Sequence, residues 1–378
     1  MVKKYAVRVL VLISFLSFAI TSCKKDNKPG PVTATPKKIG LFQYKGLPTD
    51  IPTFRLLLME VSKIGTNTTD FGLVFDTGSG GMVLDAQGIL LPSMITPSGF
   101  NFTGDSTVVD GITITSKRDT IVYGDNDATT NKVYGNLAYA DVTIGEPGSG
   151  ITIKRLPFFL YYKVVDANGV ALDETSNDAH KFDVFGVSPQ YDLTFDNVSI
   201  KSPFTYYDPG YGLTKGFKMN ALDVNEFSNN GNGGTYVSDA ITLGLTASDI
   251  SSSVFKISPL PYHTGNDYNP VIPASVTYNS KTFSTNVLFD TGTTPFSYIE
   301  DPTAAHGVVQ LPNNSQVKIT ASSGFNYTYT TTTLENVTYV ENPGSSGGSV
   351  TVFGLEFFLQ NAYLLDYTNH TLGLKTSL

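Results

Sequence analysis

Two stretches of this chain read almost alike, Leu73-Val74-Phe75-Asp76-Thr77-Gly78-Ser79 and Val287-Leu288-Phe289-Asp290-Thr291-Gly292-Thr293. In each, an apolar run ends on a carboxylate, followed by threonine, glycine and a hydroxyl residue. A buried strand does not ordinarily end this way, because an isolated charge is costly to remove from water unless it is paired. Each stretch is followed downstream by an apolar-apolar-glycine element, Val184-Phe185-Gly186 in the first half and Val352-Phe353-Gly354 in the second. A lone Asp-Thr-Gly would be an ordinary turn. Two of them in matching contexts predict two similar lobes, each delivering one carboxylate to a shared site.

The rest of the chain suits an all-β fold. Short runs rich in Val, Ile, Thr, Tyr and Phe recur between turn clusters and are expected as strands. They cover 53–61, 72–76, 111–116, 119–123 and 133–144, then 240–245, 254–260, 276–278, 286–289, 317–321, 337–340 and 350–353. Helical periodicity is scarce, with 216–229 and 355–363 as the best short candidates. Turn-rich patches fall at 228–234 and 342–349. At 378 residues the chain can hold one large or two medium domains, and charged residues make up only 15% of it. The net charge of -8 comes without long charged runs, so no footprint for nucleic acid is expected.

The twin motifs resemble those of the pepsin-like aspartic peptidases, and the likeness extends over nearly all of the chain after residue 38. The carboxyl end adds to it: Val352-Phe353-Gly354-Leu355-Glu356-Phe357-Phe358-Leu359, then Ala362 to Leu374 with an aspartate-containing turn at Asp366. The resemblance implies two similar β-barrel lobes around a central cleft, with no cofactor or metal. It implies that Asp76 and Asp290 hold a water between them and hydrolyse peptide bonds in an extended peptide or protein substrate. Two carboxylates held close cannot both ionise cheaply, so the pair keeps one proton and offers acid and base together. In the same way, Thr77 and Thr291 would reach across to lock the two turns, and Ser79 and Thr293 would donate hydrogen bonds to the outer carboxylate oxygens. Gly78 and Gly292 would leave the tight turns unobstructed, and Gly186 and Gly354 would let a neighbouring strand pass close. A hairpin flap over the cleft would carry its tyrosine at Tyr123, followed by Gly124, with its tip at 125–131; Tyr134 competes for that role, and an ordinary surface hairpin is the plainer reading. The chain lacks tryptophan, and Val83 stands near the place where that family often has one beside the flap tyrosine. The shorter interval from Asp290 to Gly354 predicts a trimmed second lobe.

The amino terminus reads as targeting sequence. Lys3, Lys4 and Arg8 precede an apolar run too short to span a bilayer comfortably, and Ile20-Thr21-Ser22-Cys23 then leads into polar residues. This resembles a bacterial lipobox, which would lipidate Cys23, the only cysteine. An ordinary secretory signal with an incidental thiol is the alternative. The expected organisation is a signal peptide at 1–22, a flexible tether at 23–38, an amino-terminal lobe at 39–240 and a carboxyl-terminal lobe at 241–378. The expected location is the cell envelope, lipid-anchored, on an outer membrane, as a monomer; no propeptide is expected. A catalytically silent peptide-binding or inhibitor module on the same fold is the second functional reading.

Other constellations are weaker. Gly344-Ser345-Ser346-Gly347-Gly348 matches a nucleophile-elbow pattern, but lies in a Gly/Ser-rich turn without the strand-turn-helix context that chemistry needs. His180, His263, His306 and His370 lack metal-ligand spacing and are expected in loops. The acidic stretch 173–178 lacks a calcium-loop pattern.

Overall fold

The computed structural model describes residues 32–124, 130–172, 180–191, 193–230, 233–251, 253–263 and 267–376. The expected signal, Cys23 and most of the expected tether lie outside these residues, as do positions 125–129 of the expected flap tip and the acidic stretch 173–178.

Strands dominate because apolar and polar residues alternate with period two along most segments. In Gln316–Ala321, Val317, Ile319 and Ala321 turn inward, while in the paired Asn326–Thr330 it is Tyr327 and Tyr329 that do so. The first lobe is a sheet that folds back on itself. Arg55–Ile64 pairs on one side with Asn67–Asp76 and on the other with Asn131–Ile144. The second lobe is an eight-stranded sheet whose strands run in sequence from Val271–Tyr278 to Val350–Phe353.

A shared base joins the lobes. Lys37–Lys45 pairs with both Arg55–Ile64 and Thr235–Leu245. Thr235–Leu245 then leads through Thr214–Met219 to Asn361–Asp366 and Thr371–Thr376, with Lys256–Pro259 at the edge. The base thus draws on the beginning, middle and end of the chain. The division expected between 240 and 241 falls inside the strand Thr235–Leu245. Ala34 donates its N–H to the Tyr211 carbonyl, so the end of the expected tether lies against the body of the protein.

The repeat read in the sequence is a repeat in space. Asn67–Asp76 and Lys281–Phe289 have matching burial patterns, half-exposed over their first turns and buried at their ends. Each pairs antiparallel with the preceding strand and parallel with the apolar-apolar-glycine strand, Val184–Val187 or Val350–Phe353. Phe75 lies opposite Phe185, and Phe289 opposite Phe353. All four rings are buried, and each pair stacks, at 6.4 Å and 6.1 Å between centroids. Burying one such ring contributes about 1.5–3 kcal/mol, so each carboxylate-bearing turn stands on a rigid aromatic footing.

Three expectations need correction. The segment 216–229 is not helical: Thr214–Met219 is a strand in the shared base, and only Val224–Glu226 makes a short 3-10 turn. Phe217 and Met219 alternate inward there, and pairing on both sides supplies the hydrogen bonds that a helix would have made internally. In 355–363, a 3-10 turn at Leu355–Leu359 gives way to the strand Asn361–Asp366. The runs 111–116 and 119–123 form one strand, Ile112–Tyr123, whose register shifts between Ile114 and Arg118.

Candidate active site

The two motif turns face each other. A Cβ on Gly78 would stand 2.7 Å from Cγ of Asp290, and one on Gly292 would stand 2.8 Å from Cγ of Asp76. The Asp290 carboxyl is hydrogen-bonded to that of Asp76. Neither glycine has positive φ, so both are needed for the space that the opposite carboxylate occupies rather than for backbone conformation. If the pair hydrolyses peptides, as the resemblance implies, Ala at 292 is expected to push the Asp76 carboxyl aside and lower turnover about 100-fold with little change in melting temperature. Unchanged kcat in Gly292→Ala would refute this account of the glycines.

Around each carboxylate the hydrogen bonds are nearly mirrored. Oδ1 of Asp76 accepts from the Gly78 N–H at 2.7 Å and the Ser79 N–H at 3.2 Å, and Oδ2 accepts from the Ser79 hydroxyl. Oδ1 of Asp290 accepts from the Gly292 N–H at 2.8 Å, and Oδ2 from the Thr293 hydroxyl at 2.6 Å. These donors favour ionised carboxyls. Burial works against them and is the largest influence on Asp290; the adjacent Asp76 charge and its shared hydrogen bond add to it. The Asp290 carboxyl is therefore held well above the ordinary carboxylate range. The pair titrates as a unit.

The threonines clamp the turns together. Thr77 Oγ1 donates to the Phe289 carbonyl at 2.8 Å and accepts from the Thr291 N–H at 3.0 Å. Thr291 Oγ1 donates to the Phe75 carbonyl at 2.6 Å and accepts from the Thr77 N–H at 3.1 Å. Both threonines are buried, so each bond is made away from competing water. Gly186 lies opposite Asp76, and a Cβ there would meet the Ser79 carbonyl at 2.6 Å. At Gly354 it would meet the Phe296 and Thr293 carbonyls at 2.4 and 2.5 Å. Those two glycines let the loops close over their own supporting strands.

Ile112–Tyr123 and Asn131–Ile144 form a long hairpin in which Tyr123 pairs with Asn131 beside the residues 125–129. Tyr123 packs against a second apolar cluster that includes Val83, Ile121, Val133 and Leu137. Val83, in the place where the resemblance implies tryptophan, thus shares a cluster with Tyr123. Gly124 follows with φ of 117°, a conformation that suits glycine. Tyr134 pairs with Thr120 on the opposite face, and the Lys163 ammonium lies 5.7 Å from its ring.

Sequence reasoning missed three supporting groups. Arg55, fully buried in the first lobe, donates to Glu356 and, at 2.7 Å, to Glu335, both in the second half of the chain. Ser297 Oγ accepts from the Gly354 N–H at 3.2 Å. Asp183, just before Val184–Val187, accepts from the Asp85 N–H at 2.8 Å and pairs with His180 at 2.8 Å. Asp183 alone had a local signal, standing next to the apolar-apolar-glycine element. The serine of the elbow-like stretch, Ser346, donates to both oxygens of Glu300 from a single helical turn, Pro343–Ser346. Among the described residues its hydroxyl has no histidine partner.

No protein-family model matches the chain, and no sequence among the curated proteins does. Among solved structures, it is similar to an aspartic proteinase from Irpex lacteus, with a TM-score of 0.51 and 19% identity. The likeness covers 89% of this chain and 97% of that one. The chain has the pepsin-like bilobal all-β fold.

Proposed function

We propose that the protein is an aspartic endopeptidase in which Asp76 and Asp290 activate a water against a peptide bond. The observation that carries this reading is the paired carboxyls with their mirrored donors at the meeting of two lobes. With one proton on the pair, the ionised carboxylate takes a proton from water as its oxygen attacks the scissile carbonyl carbon. The protonated carboxyl gives its proton to the carbonyl oxygen, forming a neutral tetrahedral diol. In the collapse, the carboxyl that took the water's proton passes it to the departing nitrogen while the ionised one takes a proton from a diol hydroxyl, so the C–N bond breaks, the amine leaves and the pair regains its single proton. No acyl-enzyme forms, because the attacking oxygen comes from water. The Thr77–Thr291 clamp supports this chemistry by fixing the turns, since misplacement by an ångström is costly.

The substrate in this reading is an extended peptide, bound through its backbone and side-chain pockets, with the hairpin bearing Tyr123 and Gly124 as its cover. The protein acts as a monomer outside the cytoplasm, on an outer membrane, held by lipid on Cys23. Cleavage of a denatured protein across an acid-to-neutral pH series, blocked by a statine-type transition-state mimic, tests the activity. Peptide binding without turnover over a broad peptide library would instead identify a silent binding module. Mass spectrometry of the envelope-extracted protein tests the anchor, which fails if Cys23 carries no acyl groups.

A further inference from the structure

A pocket of about 350 Å³ opens between the loop after Val184–Val187 and the shared base. Its first wall begins at Ser188, whose N–H donates to the Ser79 carbonyl at 2.9 Å, so it adjoins the Asp76 turn through one backbone hydrogen bond. Its lining is unusual for a chain with net charge -8. Lys201 and Lys215 contribute ammonium groups, Tyr191, Tyr268 and His370 contribute rings, and no carboxylate lines it among the described residues. Tyr268 and His370 stack at 3.7 Å with 7° between planes, which makes a flat wall. The Lys201 ammonium sits 4.9 Å over the Tyr191 ring, and Lys215 reaches only the Thr205 carbonyl at 3.3 Å. Among the described residues neither ammonium has a carboxylate in salt-bridge range. Asp267 lies nearby, but its oxygens accept from the Tyr191 N–H and meet His263 Nδ1. The hydroxyls of Ser202 and Tyr367 bond each other at 3.0 Å, and Tyr367 also donates to the Val187 carbonyl. The lysines are thus the charged groups left to meet a ligand, and a concave site with a few converging polar groups is a common place for one.

We infer that this pocket takes the side-chain carboxylate of an Asp or Glu in a bound peptide, held by Lys201 and Lys215 against the aromatic wall. The choice of a peptide as the carrier rests on the peptidase reading; the preference for a carboxylate rests on the pocket. Charged hydrogen bonds of this kind shift affinity by about tenfold or more.

The test is calorimetric titration of the purified protein at neutral pH with amide-capped short peptides that differ only by Glu or Gln. The Glu peptide is expected to bind about tenfold more tightly, and high salt should erase the difference. In the double variant Lys201→Gln, Lys215→Gln the two peptides should bind alike. Neither lysine is buried, and circular dichroism with a melting curve reports retained folding; the single variant Lys201→Gln gives an intermediate preference if the double variant unfolds. Equal binding of both peptides to the wild type, or a preference that survives both substitutions, overturns the inference. So does a Gln peptide with a free carboxyl terminus that matches the Glu peptide, or inorganic phosphate that competes as well as the Glu peptide does. Mass spectrometry of the peptides after each titration reports any cleavage separately from binding, so an inert dyad and an indifferent pocket give different results.

Discussion

Replacing Asp290 by Asn is expected to lower turnover by about 1,000-fold or more while the fold persists. The side-chain amide keeps an oxygen for the Gly292 N–H and places its nitrogen near the Thr293 hydroxyl, so the local hydrogen bonds survive. What disappears is the proton shared with Asp76. Asp76→Asn should do the same for the complementary reason. Neither change should destabilise the protein, because each leaves a neutral amide of the same shape beside the remaining carboxyl and relieves the crowding of two like groups. In the proposed mechanism, wild-type activity is expected to fall on the acid side when both carboxyls are protonated and no base remains. On the alkaline side it falls when both are ionised and no acid remains. Because Asp290 is pushed above the ordinary range, the second loss comes at higher pH than an isolated aspartate would give. Steady-state kcat across pH, with melting temperatures alongside, checks the whole set. A variant that keeps more than a tenth of wild-type kcat would remove the dyad from the mechanism.

The second large effect concerns the buried arginine. Arg55 faces two carboxylates, Glu356 and Glu335, so the three groups carry one excess negative charge. Glu356 is nearly sealed from solvent while Glu335 is half-exposed. Burial is the main cause that lifts Glu356 from 4.5 to about 7; the Arg55 charge opposes this, and the Glu335 charge adds to it. A carboxyl with a raised folded pKa holds its proton more tightly when folded. The protein therefore loses stability from this group as pH climbs through the unfolded pKa, and the loss is complete above the folded one. At 1.36 kcal/mol per pKa unit this is roughly 3 kcal/mol between pH 5 and 8. Glu356→Gln should flatten that part of the stability profile in urea denaturation. Arg55→Met should cost about 3–5 kcal/mol at pH 8, where Glu356 must stay charged without its cation or take up a proton, and visibly less at pH 5, where it is already protonated. Equal costs at the two pH values would show that packing, and not charge, is what Arg55 supplies.

Much of the site's layout was legible because the chemistry repeats. The two Asp-Thr-Gly turns and their glycine partners carry the same local grammar twice, and the structure sets them face to face. Strand existence was legible from alternation, as in Gln316–Ala321. Thr214–Met219 was not, since six residues are too few for the inward Phe217 and Met219 to stand out as an alternation, and what decides is pairing with segments far along the chain. The Arg55–Glu356 pair was invisible for a similar reason: 301 positions separate the partners, and nothing in either neighbourhood announces the other. The pocket of Lys201 and Lys215 escaped too, because it is assembled from five separate stretches of chain whose residues are unremarkable singly.

The shared base has a temporal corollary. Strands from residues 361 to 376 complete a sheet that also holds the strand starting at Lys37. Pairings of such span close slowly, since the loop entropy must be overcome before any contact rewards it. A partly synthesised copy that stops short of residue 290 bears Asp76 without the opposing carboxyl, and the sheet beneath both turns stays open until residues 361–376 join it.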